Sequence, residues 1–156
     1  MQAPANFAGS LAVAYTGATV TGSPVSLSGS SVASRGTVSI TPNPLTITLA
    51  TGVLAGNGTV TLTNTTAAVG SSVAVTGATL ASPGSGLLSW FFSDSTLLGG
   101  ADNCTGTNLA PGATCTVVVE FVNTFAPRGV DRTGTITFTD TGSGSPQAGS
   151  LIGHAN

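Results

Sequence analysis

Within Gly134-Thr135-Ile136-Thr137-Phe138-Thr139-Asp140, the apolar Ile136 and Phe138 alternate with the hydroxyl side chains of Thr135, Thr137 and Thr139. That period of two is the signature of a strand with one face buried and the other wet. The pattern recurs in Gly58-Thr59-Val60-Thr61-Leu62-Thr63, and in Leu45, Ile47 and Leu49 with threonines between them. Threonine suits the outer face because its branched Cβ favours extended backbone. Helical spacing of apolar residues is absent, so the chain reads as all-β.

Turn residues punctuate these runs at Pro42-Asn43-Pro44, Gly56-Asn57-Gly58, Ser82-Pro83-Gly84, Pro111-Gly112, Pro127-Arg128-Gly129 and Gly144-Ser145-Pro146. Their spacing predicts a sandwich rather than a small barrel. Strands are expected over 36–41, 45–50, 58–65, 72–80, 86–93, 113–122, 133–140 and 147–152, with a further pair near 9–16 and 25–29. Val117, Val119 and Phe121 lie opposite Val118, Glu120 and Val122, so this strand is apolar on both sides and belongs at the centre of a sheet. Trp90, Phe91 and Phe92 form the largest aromatic block, of which at least one ring is expected outside the main core.

Composition narrows the function. The 156 residues contain 3 Lys or Arg (Arg35, Arg128 and Arg132) and 5 Asp or Glu, a net charge of -2. Three scattered arginines cannot neutralise a run of phosphates, which argues against nucleic acid as a partner. No apolar run approaches the length of a membrane-spanning helix, so membrane insertion is not expected. The first residues lack the basic and apolar regions of a signal peptide. A length of this order allows one core and at most an appendage.

Residues 1 to 33 supply that appendage. Gly9-Ser10-Leu11-Ala12-Val13-Ala14-Tyr15, then Gly22-Ser23-Pro24 and Val25-Ser26-Leu27-Ser28-Gly29, echo the end of the chain. There the same order runs Gly134 to Asp140, Gly144-Ser145-Pro146 and Gly149-Ser150-Leu151-Ile152-Gly153. The chain therefore opens with a copy of its own closing hairpin, and residues 34 to 156 are expected to form the sandwich. The apolar face of the first hairpin, Leu11, Val13, Tyr15 and Leu27, needs cover that an isolated hairpin cannot provide. It is expected to be an assembly interface, packing against a neighbouring subunit or folding back on its own domain.

Chemistry-bearing residues are scarce. His154 stands near the carboxy terminus, where a strand is expected to fray, which is a poor foundation for a Ser-His-Asp arrangement. The aspartates show no calcium-loop spacing and read as loop residues. Glu120 is expected at an exposed edge, or paired with Arg128 or Arg132 if it is buried. Asn57, Asn64 and Asn103 begin sequon-like triplets that a threonine-rich chain produces by chance. Trp90 and Tyr15 are the aromatic side chains available for stacking on a glycan. No enzyme activity, cofactor or metal is expected.

Cys104 and Cys115 leave two readings open. Pro111-Gly112 offers a turn between them, so a disulfide closing a hairpin is one, with an oxidising compartment as its consequence. Two separate buried thiols are the other. A zinc site is poorly served by two cysteines and the distant His154.

At Gly58 to Thr65, at Asn103-Cys104 with Leu109-Ala110-Pro111-Gly112-Ala113-Thr114-Cys115-Thr116-Val117, and from Arg132 through Asp140 to Ser145-Pro146-Gln147, the chain resembles a bacterial family. It looks like the immunoglobulin-like repeats called choice-of-anchor D domains, relatives of the ASH and major sperm protein sandwiches, over about residues 40 to 153. The resemblance implies an immunoglobulin-like antiparallel β-sandwich, a disulfide across the cysteine hairpin, and a non-enzymatic extracellular or cell-surface role. The chain departs from the family at Val122-Asn123-Thr124, at the unusually apolar segment from Leu87 to Leu98, and in having one whole repeat. Two functions follow as expectations. One is a structural subunit that self-associates, or attaches to an extracellular or virion assembly such as a filament or capsid, through strand edges. The other is a monomeric cell-adhesion or spacer module that binds a glycan or protein through its loops.

Overall fold

From Leu45 to Leu49 burial alternates residue by residue, with Leu45, Ile47 and Leu49 inside and Thr46 and Thr48 in solvent. The threonine alternation thus does what its period requires. The computed structural model describes residues 6–13, 16–17, 22, 24–30, 35–67, 70–82, 89–94 and 100–156. The chain divides into two compact units, Met1–Ser34 and Arg35–Asn156.

The first unit holds an antiparallel hairpin of β1 (Asn6–Leu11) and β2 (Val25–Ser30). The expectation of a strand over 9–16 is displaced toward the terminus, because the pairing partner Val25–Ser30 ends opposite Asn6. Tyr15 lies outside the described residues, as do 86–88 of the strand expected over 86–93.

The second unit is an immunoglobulin-like β-sandwich. Its strands are β3 (Val38–Thr41), β4 (Leu45–Leu49), β5 (Ala55–Asn64), β6 (Val73–Ala81), β7 (Trp90–Ser93), β8 (Ala101–Asp102), β9 (Asn108–Leu109), β10 (Thr114–Asn123), β11 (Arg132–Asp140) and β12 (Gln147–Ala155). One sheet runs β3-β5-β10-β7, with β8 also on β10, and the other runs β4-β12-β11-β6-β9. All ladders are antiparallel except β4 on β12, which is parallel over Leu45–Leu49. Pro42 and Pro44 break the chain between β3 and β4, and the two strands join different sheets. Asn43 Oδ1 accepts the Ser150 N–H at 2.9 Å, which fixes that crossing to β12.

The core lies between the sheets. Val117, Val119 and Phe121 of β10 and Ile136 and Phe138 of β11 are fully buried from opposite sides. β10 is buried on both faces from Val119 to Asn123, as its two-sided apolarity requires, and it is paired on both edges. Trp90 and Phe92 point inward, with the Phe92 ring 5.1 Å from Phe121, while Phe91 is half-buried. Two glycines of the closing hairpin make room for these rings. A Cβ on Gly134 would stand 2.6 Å from Phe92, and one on Gly153 would stand 2.4 Å from Phe121.

Candidate association site

The N-terminal hairpin sorts its side chains by face. Phe7 pairs with Gly29, Gly9 with Leu27 and Leu11 with Val25, and these three pairs share one face because cross-strand partners point the same way. The three pairs between them, Asn6 with Ser30, Ala8 with Ser28 and Ser10 with Ser26, carry small or polar side chains on the other. On the apolar face Phe7, Leu11, Val25 and Leu27 are 51% to 61% exposed, and Val13, just beyond β1, is 55% exposed. No charged residue occurs before Arg35, so neither edge of this hairpin has the charges that usually guard a free strand.

Of the four residues expected at an interface, Leu11 and Leu27 therefore share a face, Val13 follows β1, and Tyr15 is not described. Sequence reading missed Phe7 and Val25. Alternation backward from Leu11 through Gly9 reaches Phe7, and Val25 stands across from Leu11, so both were within reach of the same period.

The titratable groups of the sandwich are placed differently from expectation in two cases. His154 does not fray: β12 runs to Ala155 between β11 and β4, and His154 Nδ1 meets Asp131 Oδ1 at 2.6 Å on a partly exposed rim. The parallel ladder with β4 holds Leu151 to Ala155, where terminal position alone predicted looseness. Glu120 is not at an exposed edge: it is buried on β10, flanked by Asn57 of β5 and Ser93 of β7. Burial raises its carboxyl above the ordinary range. Among the described residues nothing hydrogen-bonds its Oε2.

Neither arginine is its partner. Arg128 donates to the carbonyls of Asn156 and Val53, tying the chain end to the turn after β4. Arg132 lies 5.8 Å over the Trp90 ring and donates to the Pro127 carbonyl. Trp90 is itself buried, which removes it as an exposed stacking platform for a sugar.

Cys104 and Cys115 form a disulfide, buried in the core. The segment between them is more than a hairpin turn, because β9 leaves to pair with β6 of the opposite sheet before the chain returns through Pro111-Gly112 into β10. Gly112 takes a positive φ of 78°, the conformation for which glycine suits that turn. Asp102 organises the start of the excursion by accepting the N–H groups of Cys104 and Thr105 and the Thr105 hydroxyl. Partial burial raises its carboxyl pKa, but these hydrogen bonds outweigh that and leave it lowered overall.

Asn64 is wholly buried and cannot carry a glycan. Its amide donates to the Ser71 and Leu109 carbonyls at 3.1 and 2.9 Å, and its Oδ1 accepts from Thr66. Among the described residues no three His, Cys, Asp or Glu side chains come together as a metal site. A depression of about 460 Å³ lies on the outer face of β11 and β12 beside Pro44, lined by Thr133, Thr135, Ser150 and Ile152.

No family model matches the chain. No curated protein matches it either. Among solved structures it is similar to the ASH / PapD-like domain of human CEP192 (PapD-like domain 7), at 15% sequence identity and a TM-score of 0.44, over 78% of this chain and 87% of that one. A likeness at this level concerns the fold alone and does not place the chain among the choice-of-anchor D repeats.

Proposed function

We propose that the chain is a non-enzymatic structural subunit that joins copies of itself or a larger extracellular or virion assembly through β-strand edges. One observation carries the reading: a hairpin without charge exposes a continuous apolar face and two unguarded edges. Exposed apolar side chains on adjoining strands are costly in water, and strand addition covers both the face and the backbone groups. The buried disulfide fits an oxidising compartment, which supports an extracellular or surface location, with the virion surface as the second setting. Kinship with the choice-of-anchor D repeats belongs to the same proposal and rests on the cysteine segment and the β11 run.

The absence of enzyme activity is proposed on the inventory of groups. The His154–Asp131 pair sits on β12 and at the entrance to β11, Asp102 and Asp140 accept backbone N–H groups in turns, and Glu120 is buried. Negative-stain microscopy of the purified chain tests the reading. Filaments, rings or decorated particles are expected, and Leu11→Asn with Leu27→Asn should abolish them. Dispersed single particles for the unaltered chain, alone and with candidate scaffolds, would contradict it.

A further inference from the structure

The two hairpins of the chain pair in the same register. Gly9 opposes Leu27 as Gly134 opposes Leu151, Leu11 opposes Val25 as Ile136 opposes Gly149, and Phe7 opposes Gly29 as Arg132 opposes Gly153. Even the pair Asn6 and Ser30 falls where Asp131 meets His154. The sequence echo is thus also an echo of strand pairing, residue for residue.

The glycines give this equivalence a physical meaning. Gly134 and Gly153 are the hollows that seat the Phe92 and Phe121 rings of the opposite sheet. Gly9 and Gly29 occupy the same two places in the first hairpin, on its apolar face, and a Cβ on either would meet nothing within 4 Å among the described residues. Neither has a positive φ, so backbone conformation does not call for glycine there. Glycine inside a strand weakens it unless something approaches closely.

Resting on the strand-edge reading above, we infer that β1 and β2 serve as the last two strands of an immunoglobulin-like sandwich in a partner domain that lacks its own. In this chain those positions lie between an antiparallel neighbour, β6, and a parallel neighbour, β4, beneath a sheet that presents aromatic rings. The partner offers the same features: two open strand edges, and an aromatic side chain over each of Gly9 and Gly29. Like β4 and β6, which flank β12 and β11 in this chain, the hairpin carries no charge. Size agrees as well. Phe7, Leu11, Val25 and Leu27 together expose on the order of 400 Å², suited to the apolar centre of an interface covering about 800 Å² per partner. Val25 stands where Gly149 touches Ile40 of β3, so the partner has a smaller side chain than Ile40 at that point.

The test extends the chain. Residues 35–130, with Ile40→Ala to admit Val25, are placed directly before Asn6, so that the added sandwich ends where β11 would begin. Hydrogen exchange should show the amides of β1 and β2 protected as strongly as those of β11 and β12. Gly29→Ala in the extended chain should lower the melting temperature of the added sandwich by about 8 °C and be silent in the unextended chain. Exposed β1 and β2 amides, or a silent Gly29→Ala in the extended chain, would overturn the inference. So would added residues that stay unfolded while a tandem chain carrying the complete 35–156 folds. The strand-edge reading is judged separately, by whether Leu11→Asn with Leu27→Asn abolishes association of the unextended chain. Association that depends on those residues, alongside exposed β1 and β2 amides in the extended chain, would leave the reading standing and the inference refuted.

Discussion

Gly153→Ala adds one methyl group where three atoms of the Phe121 ring lie 2.4 to 2.5 Å from the new Cβ. Phe121 cannot withdraw, because it is fully buried and its other neighbours include the Phe92 ring at 5.1 Å. Overpacking of this kind costs about 2–3 kcal/mol. Replacing glycine in a strand returns about 0.5–1 kcal/mol by restricting the unfolded chain. The net loss of about 2 kcal/mol corresponds to a fall in melting temperature of about 8 °C for a unit of this size. Thermal unfolding followed by near-ultraviolet circular dichroism reports it directly. Gly29→Ala is the control, since its Cβ meets nothing and the transition should stay within about 1 °C of wild type. A Gly153→Ala protein that melts with the wild type would refute the seating of Phe121 on Gly153, and with it the meaning given to Gly9 and Gly29.

Three further outcomes are expected. Cys104→Ser with Cys115→Ser should cost about 2–3 kcal/mol, because the bridge closes a short loop and its removal frees the unfolded chain; urea titration measures the loss, and two titratable thiols in the unreduced native protein would contradict the bridge. Glu120→Gln should raise stability at neutral pH, where the buried carboxylate is ionised at a cost. The gain should shrink as pH falls through the raised carboxyl pKa and be gone below the ordinary carboxyl pKa of the unfolded chain, so a gain that persists in stronger acid would count against burial as its cause. Asp102→Asn should act with the opposite sign: the mutant is less stable at neutral pH, and the gap closes as pH falls through the lowered carboxyl pKa, because the wild type then loses the hydrogen bonds its ionised form accepts.

Much of the sandwich was legible because its outer face is threonine. The period of two in Leu45–Leu49 and Arg132–Asp140 placed those strands nearly to the residue. The two-sided apolarity of β10 placed it at the centre of its sheet. What stayed hidden depends on partners distant in sequence. Terminal position suggested a loose His154, and only the parallel ladder with β4 shows why it is held. Glu120 looked like an edge residue because charge usually marks exposure, whereas its burial follows from strands on both sides of β10. The excursion of β9 to the opposite sheet has no local signature, because Asn108-Leu109 is too short to show a period. For the hairpin, the echo of residues 134 to 153 pointed to the segment that holds β1 and β2, and the register placed Phe7 and Val25 on the same face as Leu11 and Leu27, which the echo alone did not single out.

The mass of the chain in solution, measured by light scattering across a hundredfold range of concentration, tests the central claim that the uncharged hairpin is the association surface. The mass should rise above the 15.0 kDa of one chain as concentration increases. Leu11→Asn with Leu27→Asn should return it to that value without changing the melting temperature of the sandwich. A mass of 15.0 kDa throughout, or a double variant that associates as the wild type does, would contradict it.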